Sequence, residues 1–300
     1  MMSELKYVSD YHVVEFEEFM ILKNFSKRTI KTYVQIVKQF INWWEKHHLN
    51  VPMSDDVVRK YLLHRFDTGK DWQTVNSDYS AIQKWFKNVL MLSWSLTKLP
   101  RARKEKKLPS ILSKEDVVKI IEAAATFKQQ VLLTFVYVTG ARLSETTHVK
   151  IDDIDSHRMQ VRINQGSARW IVILRAKGNK DRFIMLPQIL IDLLRDYYRR
   201  EKPEVYLFNA KVKAQAYNPR SVQLAMQQAK KKAKVTKKGS IHTLRNCYAT
   251  HHLEGGTDLV FLQEQMGHKN LRTTIRYIGL CVERHRYIKH PIDNLPIKYR

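Results

Sequence analysis

The sequence of 300 residues has few cysteines, a shortage of acidic residues and no long apolar run. Its two cysteines, Cys247 and Cys281, provide no disulfide framework and no CxxC pair, which indicates a reducing compartment. The longest apolar stretch, near Val131–Val138, is much shorter than the roughly 20 residues that a membrane-spanning helix needs. The first residues also lack the apolar region of a secretory signal peptide. These absences predict a cytoplasmic protein that does not act in a membrane.

The charge is strongly unbalanced toward the basic side. There are 53 lysines and arginines against 29 aspartates and glutamates, which gives a formal net charge of +24. Such an excess favours a polyanionic partner, because each phosphate that a protein neutralises releases counterions into solution. A ribosomal or simply soluble basic protein is the alternative that charge alone leaves open. The length suffices for about two domains.

The first hundred residues predict an all-helical domain. Apolar residues recur at helical spacing behind Ser26, a candidate N-cap, and a second helix is predicted to start at Ser54. A third helix is predicted to carry the apolar residues of 82–90. Core packing is a better explanation of these aromatic stripes than base stacking. The lysines and arginines between them, such as Lys27 and Lys31, are either solvated or face DNA phosphates.

A basic segment then separates two predicted domains. Residues 98–110 are rich in lysine and arginine, have no periodicity and carry prolines near both ends, which is typical of a linker. The predicted boundaries are 1–97 for the helical domain, 98–110 for the linker and 111–300 for the second domain. Within the linker, the candidate DNA contacts are Lys104, Lys106 and Lys107.

The second domain is predicted to be mainly α-helical with a small antiparallel β-sheet. Ser113 is a candidate N-cap, and helices are predicted to about Thr139. Alternation over 159–163 predicts a half-buried strand. Two further strands, Trp170–Leu174 and Phe183–Leu186, are predicted on either side of a turn at 177–181. Helices follow from Pro187, with a second basic cluster at 230–238 that is either a DNA contact or a solvated helix end.

Six residues of the second domain have the chemistry that phosphodiester cleavage needs: Arg142, Lys177, His242, Arg245, His268 and Tyr277. A guanidinium stays charged and can make two parallel hydrogen bonds to one phosphate. A lysine or histidine can donate a proton to the leaving oxygen, and a tyrosine can attack and hold the phosphate as an ester. Each residue alone has a more ordinary explanation as a surface or core side chain.

The local spacing places several of these residues on helices. His242 and Arg245 are three residues apart and share one face of a predicted helix. A short helix is predicted over Leu259–Met266, which presents His268 just beyond its end. Tyr277 follows nine residues later on another predicted helix. The remaining histidines show no zinc-ligand spacing, so no metal site is predicted.

Five ordered motifs resemble those of the tyrosine recombinase, or phage integrase, family. They are Thr-Gly-Ala-Arg-Leu-Ser-Glu at 139–145, Lys-Gly-Asn-Lys-Asp-Arg at 177–182, His-Thr-Leu-Arg at 242–245, Gly-His at 267–268, and Tyr277. The pattern is most similar to compact members, such as Xer-type and integron-type integrases. The resemblance covers about 110–285 well and the N-terminal helices in outline. It implies an all-helical, SAM-like core-binding domain followed by an α+β catalytic domain.

The resemblance implies a role for each of the site residues. Arg142 and Arg245 would bind the scissile phosphate, and Tyr277 would attack it to form a 3′-phosphotyrosyl bond. Lys177 would protonate the leaving 5′-oxygen. Three residues would assist: His242 in proton transfer, His268 by a hydrogen bond to the phosphate, and Glu145 by orienting Arg142.

The resemblance also implies a reaction and its partners. Strand exchange would need no ATP, metal or other cofactor, and would integrate, excise or resolve DNA. Four protomers would act on two double-stranded sites through a Holliday junction, and the gene would belong to a bacterium or a mobile element. A DNA-binding protein without catalysis and a topoisomerase-like enzyme are the alternatives.

The chain departs from the family pattern in two places. Gln165–Arg175 is long, as if the hairpin before Lys177 were extended, so Lys180 competes for the role of the catalytic lysine. Ile278-Gly279-Leu280 stands where many relatives have Thr-His-Val, which affects C-terminal docking rather than the chemistry. The remaining candidate DNA contacts are Lys180, Arg182, Lys231 and Lys232.

Overall fold

The computed structural model describes residues 10–48, 51–94, 100–101, 109–163 and 182–281. The chain divides into two compact units, residues 1–107 and 108–300. Most of the predicted linker, and with it Lys104, Lys106 and Lys107, lies outside the described residues, so the exact domain boundaries stay a prediction. In the ranges that are described, no helix has both the length and the apolarity to cross a membrane.

In its described residues, the N-terminal unit has four helices packed around an aromatic core. They are α1 (Asp10–Leu22), α2 (Lys27–His48), α3 (Asp55–Asp67) and α4 (Trp72–Asn88). Phe40, Trp85 and Phe86 are completely buried, and the Trp85 indole N–H donates to the His12 carbonyl at 3.2 Å. The predicted packing role of the aromatic stripes is therefore confirmed. Lys27 and Lys31 are exposed on α2.

The start of α2 follows its predicted cap, whereas α3 and α4 differ slightly from expectation. The Ser26 hydroxyl accepts a hydrogen bond from the Thr29 backbone N–H at 3.1 Å. Ser54 occupies the N-cap position of α3, but its side chain makes no capping bond. α4 ends at Asn88, although Val89 and Leu90 remain buried behind it. Burial of an apolar side chain requires proximity to the core and not helical geometry.

The second unit contains eight α-helices and a three-stranded sheet among its described residues. The helices are α5 (Lys114–Glu122), α6 (Phe127–Thr139), α7 (Leu143–His148), α8 (Gln188–Glu201), α9 (Pro219–Lys232), α10 (Ile241–Glu254), α11 (Leu259–Met266) and α12 (Leu271–Ile278). The predicted cap of α5 is confirmed, because the Ser113 hydroxyl accepts from the Asp116 N–H at 3.1 Å. α6 is buried on several sides and packs against both α8 and α10. It therefore carries its C-terminus into the interior.

The sheet is antiparallel with the order β1-β2-β3, as predicted for a small sheet. Its strands are β1 (Ile154–Asp155), β2 (Gln160–Ile163) and β3 (Arg182–Met185). β3 begins one residue before the predicted strand and pairs Arg182 with Ile163. Residues 164–181 join these two paired positions. The predicted strand Trp170–Leu174, the turn, Lys177 and Lys180 all lie outside the described residues.

Candidate active site

The corner between α6 and α7 fixes the position of Arg142. Gly140 ends α6 in the left-handed conformation with φ 60°, and a Cβ at this position would overlap the Tyr248 ring. Arg142 then begins α7 as its N-cap residue. Its backbone N–H and its Nη1 each donate to the Glu145 carboxylate at 2.7 Å. A single acidic side chain thus holds both the backbone and the guanidinium of Arg142.

Glu145 is also the centre of a buried ion pair. Arg182 donates to both carboxylate oxygens, Nη1 to Oε1 at 3.0 Å and Nη2 to Oε2 at 2.8 Å. Burial by itself would raise the pKa of Glu145. The hydrogen bonds and charge of Arg182, together with the hydrogen bonds from Arg142, outweigh burial and lower that pKa to about 2. Glu145 is therefore ionised at neutral pH, and it bridges the two arginines.

Arg182 lies inside the protein and not on the DNA-facing surface that we predicted. Its side chain is 8% exposed, and its Nε donates to the Gln265 carbonyl at 2.8 Å. The Gln265 side-chain oxygen accepts from the Met185 N–H at 3.1 Å, which is a second link between β3 and α11. Because Arg182 donates its hydrogen bonds to Glu145 and Gln265, its position supports a structural role in which it links α7 to α11.

Arg245 is buried on α10 and is surrounded by acceptors. Its side chain is 1% exposed, and it donates to the carbonyls of Gly140 and Met266 and to Nε2 of His268 at 3.0 Å. A guanidinium has five N–H groups, so these three bonds leave two donors for another ligand. Burial, followed by the neighbouring charge of Arg142, lowers the pKa of Arg245 to about 10, which keeps it charged at neutral pH.

The hydrogen bonds of His268 define its tautomer. Because Arg245 can only donate, the Nε2 atom of His268 must accept, and the ring proton lies on Nδ1. Nδ1 then donates to the Thr274 hydroxyl at 2.9 Å. Burial, followed by the charges of Arg245 and Arg142, lowers the pKa of His268 to about 4. The ring is therefore neutral at pH 7. Gly267, in the left-handed conformation, ends α11 just before it.

Tyr277 lies on α12 beside this histidine. Its side chain is 8% exposed, and its ring is parallel to that of His268, with an angle of 10° and a centroid distance of 6.1 Å. The phenol donates to the side-chain oxygen of Asn246 at 3.3 Å. Burial raises the pKa of Tyr277, while the charges of Arg245, Arg276 and Arg142 partly oppose that rise.

His242 stands in the first turn of α10, where its side chain is exposed. Partial desolvation, followed by the positive charges of Arg245 and Arg142, lowers its pKa. A neutral histidine at this position can accept a proton. The structure thus brings together five of the predicted catalytic residues, namely Arg142, His242, Arg245, His268 and Tyr277. Lys177 and its competitor Lys180 lie outside the described residues.

Comparison with known families places this geometry in context. A family model described as "Phage integrase family" matches residues 110–284, which are more than half of the chain. The chain belongs to the phage integrase family. A second model, "Phage integrase, N-terminal SAM-like domain", matches residues 13–96 of this phage integrase. The all-helical N-terminal domain and the α+β catalytic domain that we predicted are confirmed by these matches.

Individual relatives and structures agree with the family assignment. The phage integrase is 30% identical to a putative integrase/recombinase y4qK of Sinorhizobium fredii over 93% of this chain and 87% of that protein. It is 29% identical to the tyrosine recombinase XerA of Pyrococcus furiosus over 93% and 92%. A lambda integrase tetramer bound to a Holliday junction has the same fold, with a TM-score of 0.72 and 16% identity over 94% of this chain and 80% of that one.

The site of this phage integrase is a cationic cluster with one compensating charge. Arg142, Arg182 and Arg245 are positive, and Glu145 is the acidic residue that pairs with the first two. These three positive charges and one negative charge give a net charge of +2, which is available to a ligand. Arg142 is the accessible member, since its side chain is 41% exposed and its side-chain bonds to Glu145 and Gly267 leave three N–H groups. Such a cluster suits a phosphate.

Three residues with contacts in the site were not predicted from the sequence. Each of them accepts a hydrogen bond from a predicted residue. The Asn246 side chain accepts from Tyr277, the Gln265 carbonyl from Arg182, and the Thr274 hydroxyl from His268. Asn246 directly follows Arg245, and Thr274 lies three residues before Tyr277 on the same helix face. Proximity to the motifs could have drawn attention to both. Gln265 also lies close to a motif, two residues before Gly267, but its contact with Arg182 is made by the backbone carbonyl, which the residue type does not indicate.

The predicted DNA contacts at the end of α9 are exposed. Lys231 and Lys232 both face solvent in the last turn of that helix. The described part of the chain contains no group of three or more His, Cys, Asp or Glu that could hold a metal ion.

Proposed function

We propose that this phage integrase is a site-specific tyrosine recombinase that cleaves and rejoins double-stranded DNA through a 3′-phosphotyrosyl intermediate. The observation that carries this proposal is the position of Tyr277, whose ring is parallel to the histidine that accepts a hydrogen bond from Arg245. The described cluster thus contains a nucleophile, Tyr277, and two phosphate-binding cations, Arg142 and Arg245. It also contains His242, a neutral histidine that can act as the base. These are the groups that transesterification of a phosphodiester requires.

Arg142 and Arg245, which would clamp the scissile phosphate, have different parts in the proposed mechanism. Arg142 is accessible and has more unused donors, so it would meet the non-bridging oxygens of the scissile phosphate first. Arg245 is buried and fixed by backbone carbonyls, so it would present its two remaining N–H groups with little reorganisation. Glu145 keeps Arg142 in place through two hydrogen bonds.

The proposed bond changes balance without an outside energy source. The Tyr277 phenol loses its proton, with His242 as the proposed acceptor, and its oxygen forms a bond to phosphorus. The bond from phosphorus to the 5′-oxygen breaks, and Lys177, or Lys180 in its place, protonates that oxygen. Religation by another 5′-hydroxyl reverses these changes, so the number of ester bonds is conserved. ATP and metal independence belong to this proposal, because the arginines supply the charge that a metal would carry.

His268 has a proposed role that refines the sequence prediction. Its Nε2 accepts from Arg245, so in this state it positions the guanidinium and has no proton to donate from that atom. A hydrogen bond from Nε2 to the phosphate would need the protonated ring or the other tautomer. We propose that positioning Arg245 is its role before DNA arrives.

The assembly proposed for the reaction is a homotetramer on two DNA sites. The support is the shared fold with lambda integrase, which forms a tetramer on a Holliday junction. A cytoplasmic location is likewise proposed from the reducing environment that the sequence indicates. Integration, excision and resolution are equivalent chemically, and the sites that are joined distinguish them.

The test is a covalent-adduct assay on a nicked suicide duplex. The duplex carries the recombination site, recovered by selection from random DNA, and the reaction contains EDTA. We expect an adduct for the wild type and none for Tyr277→Phe. Tyr198→Phe, which removes an exposed phenol on α8, is the matched control and should form the adduct. Tight DNA binding by the wild type with no adduct would contradict the proposal and favour a protein that only binds DNA.

A further inference from the structure

The hydrogen bond between Tyr277 and Asn246 involves the phenol oxygen, which is the attacking atom in the proposed reaction. The phenol oxygen that would attack phosphorus donates its proton to the Asn246 Oδ1 atom at 3.3 Å. Both side chains are 8% exposed, so water competes poorly for this bond. Asn246 directly follows Arg245 on α10, and α12 packs against that helix. The same rigid helix therefore carries a phosphate-binding arginine and the partner of the nucleophile.

An amide group has chemistry that suits a phenol at two stages of a reaction. Its oxygen accepts a hydrogen bond from the neutral phenol, and its NH₂ group can donate to a phenolate. A half-turn of the amide plane exchanges these two groups with almost no change of shape. The amide stays neutral over the whole working pH range, so it can hold the phenol at either stage but cannot take its proton.

We propose that Asn246 is a positioning residue for the nucleophile, which holds Tyr277 through its oxygen as a phenol and through its NH₂ group as the phenolate that attacks. This inference rests on the proposed function, because it assigns a partner to the nucleophile of that reaction. Asn246 does not touch the phosphate in this scheme. Its effect is exerted through the orientation and charge of Tyr277.

The charges around Tyr277 predict whether a substitution at position 246 favours or opposes the phenolate. Arg245 on α10, Arg142 at the start of α7 and Arg276 on α12 are positive, and the neutral His268 covers one face of the ring. All three cations favour a phenolate. An aspartate at 246 would still accept from the phenol, but its negative charge would oppose the phenolate and offset the cations.

The decisive experiment compares Asn246→Ala with Asn246→Asp in single-turnover adduct formation on the suicide duplex. Removal of one buried hydrogen bond predicts that the alanine variant is about tenfold slower than wild type. The aspartate variant should be slower still, on the order of a hundredfold, because it adds a like charge beside the attacking oxygen. Its pH–rate profile should move to higher pH, whereas that of the alanine variant should not.

A purely structural role predicts the opposite order. Aspartate has the shape of asparagine, whereas alanine leaves a cavity, so a packing role makes Asn246→Ala the more damaging change. An aspartate variant as fast as the alanine variant, or an unmoved pH profile, would overturn the proposal. Thr250→Val, which removes a buried hydroxyl one turn further along α10, is the matched control and should react like the wild type.

Two further measurements keep the outcome unambiguous. Thermal unfolding and DNA binding of each variant show whether it is folded. If the aspartate variant does not fold, Asn246→Ser replaces it, since a hydroxyl both donates and accepts and should react faster than alanine. Equal rates for serine and alanine would count against the proposal. A wild type without adduct would refute the proposed function itself, whereas an active wild type with equally active variants refutes only the role of Asn246.

Discussion

At the scale of single residues, the charge of the site depends on the protonation states of Glu145 and His268. Glu145 is ionised because Arg182 and Arg142 outweigh the cost of its burial. His268 is neutral because burial and two arginines oppose its protonation. Both pKa values are lowered, and the positive charge of neighbouring guanidinium groups contributes to both shifts. Burial acts in opposite directions, because it opposes the charged form of each group. A phosphate entering this space would reduce the positive field on both groups.

The neutral state of His268 predicts how stability depends on pH. The pKa is about 4 in the folded protein and 6.5 for an ordinary histidine, so the unfolded chain binds more protons between these values. Stability should therefore rise with pH from about 4 to 6.5, and the contribution should be lost as the pH falls through that window. We expect an effect on the order of 1 kcal/mol after solvent screening.

The measurement is chemical denaturation of the wild type and His268→Gln at a series of pH values. The difference in unfolding free energy between the two proteins isolates this histidine from His242, whose pKa is also lowered. His157→Gln, at an exposed turn position, is the control and should follow the wild type. A difference that does not vary with pH would show that His268 is not held neutral.

At the scale of secondary-structure elements, the ends of helices build the site. The C-terminus of α6 supplies the Gly140 carbonyl to Arg245, and the C-terminus of α11 supplies the carbonyls of Met266 and Gly267 to the two arginines. The last carbonyls of a helix have no partner within the helix and carry partial negative charge. The guanidinium groups of Arg245 and Arg142 satisfy them, so the same contacts complete the helices and position the two arginines.

Gly140 gives the prediction at this scale. Alanine there would have to adopt φ 60° and would overlap the Tyr248 ring, so we expect a loss of about 2–5 kcal/mol of stability and slower adduct formation. Gly256→Ala is the matched control, because its φ is also positive, at 83°, yet nothing lies within 4 Å of the added Cβ. Its cost should be about 1–2 kcal/mol.

Urea denaturation of the two glycine variants measures this difference. A loss at Gly140 no larger than at Gly256 would show that the Tyr248 ring moves aside at little cost. The adduct assay adds a second comparison, because Gly256 supplies no carbonyl to the arginines among the described contacts.

At the scale of the whole molecule, the net charge of +24 favours electrostatic binding to the DNA backbone. The cationic site uses few of these charges, and most lysines among the described residues are exposed to solvent, where a duplex backbone can reach them. Contacts of this kind determine affinity and its dependence on salt, while sequence is read by other side chains at base edges.

The exposed lysines at the end of α9 allow a test at this scale. If Lys231 and Lys232 each neutralise one phosphate, their replacement by alanine should reduce the slope of log K against log salt concentration by about 2. Fluorescence anisotropy with a double-stranded oligonucleotide over a salt series measures that slope. Lys211 and Lys213, also exposed and in the same unit, form the control pair. An equal change in both pairs would indicate a diffuse effect of net charge rather than contacts at α9.

The sequence by itself determined the helical starts at Ser26 and Ser113, the aromatic core and the set of motif residues. Capping, periodicity and residue chemistry are local properties, so they can be read along the chain. Only the tertiary structure decided that Arg182 is buried against Glu145, that His268 accepts from Arg245, and that Asn246 receives Tyr277. Each contact joins residues more than twenty positions apart. Burial and the fields of neighbouring charges arise from this packing, and they decide which groups are charged.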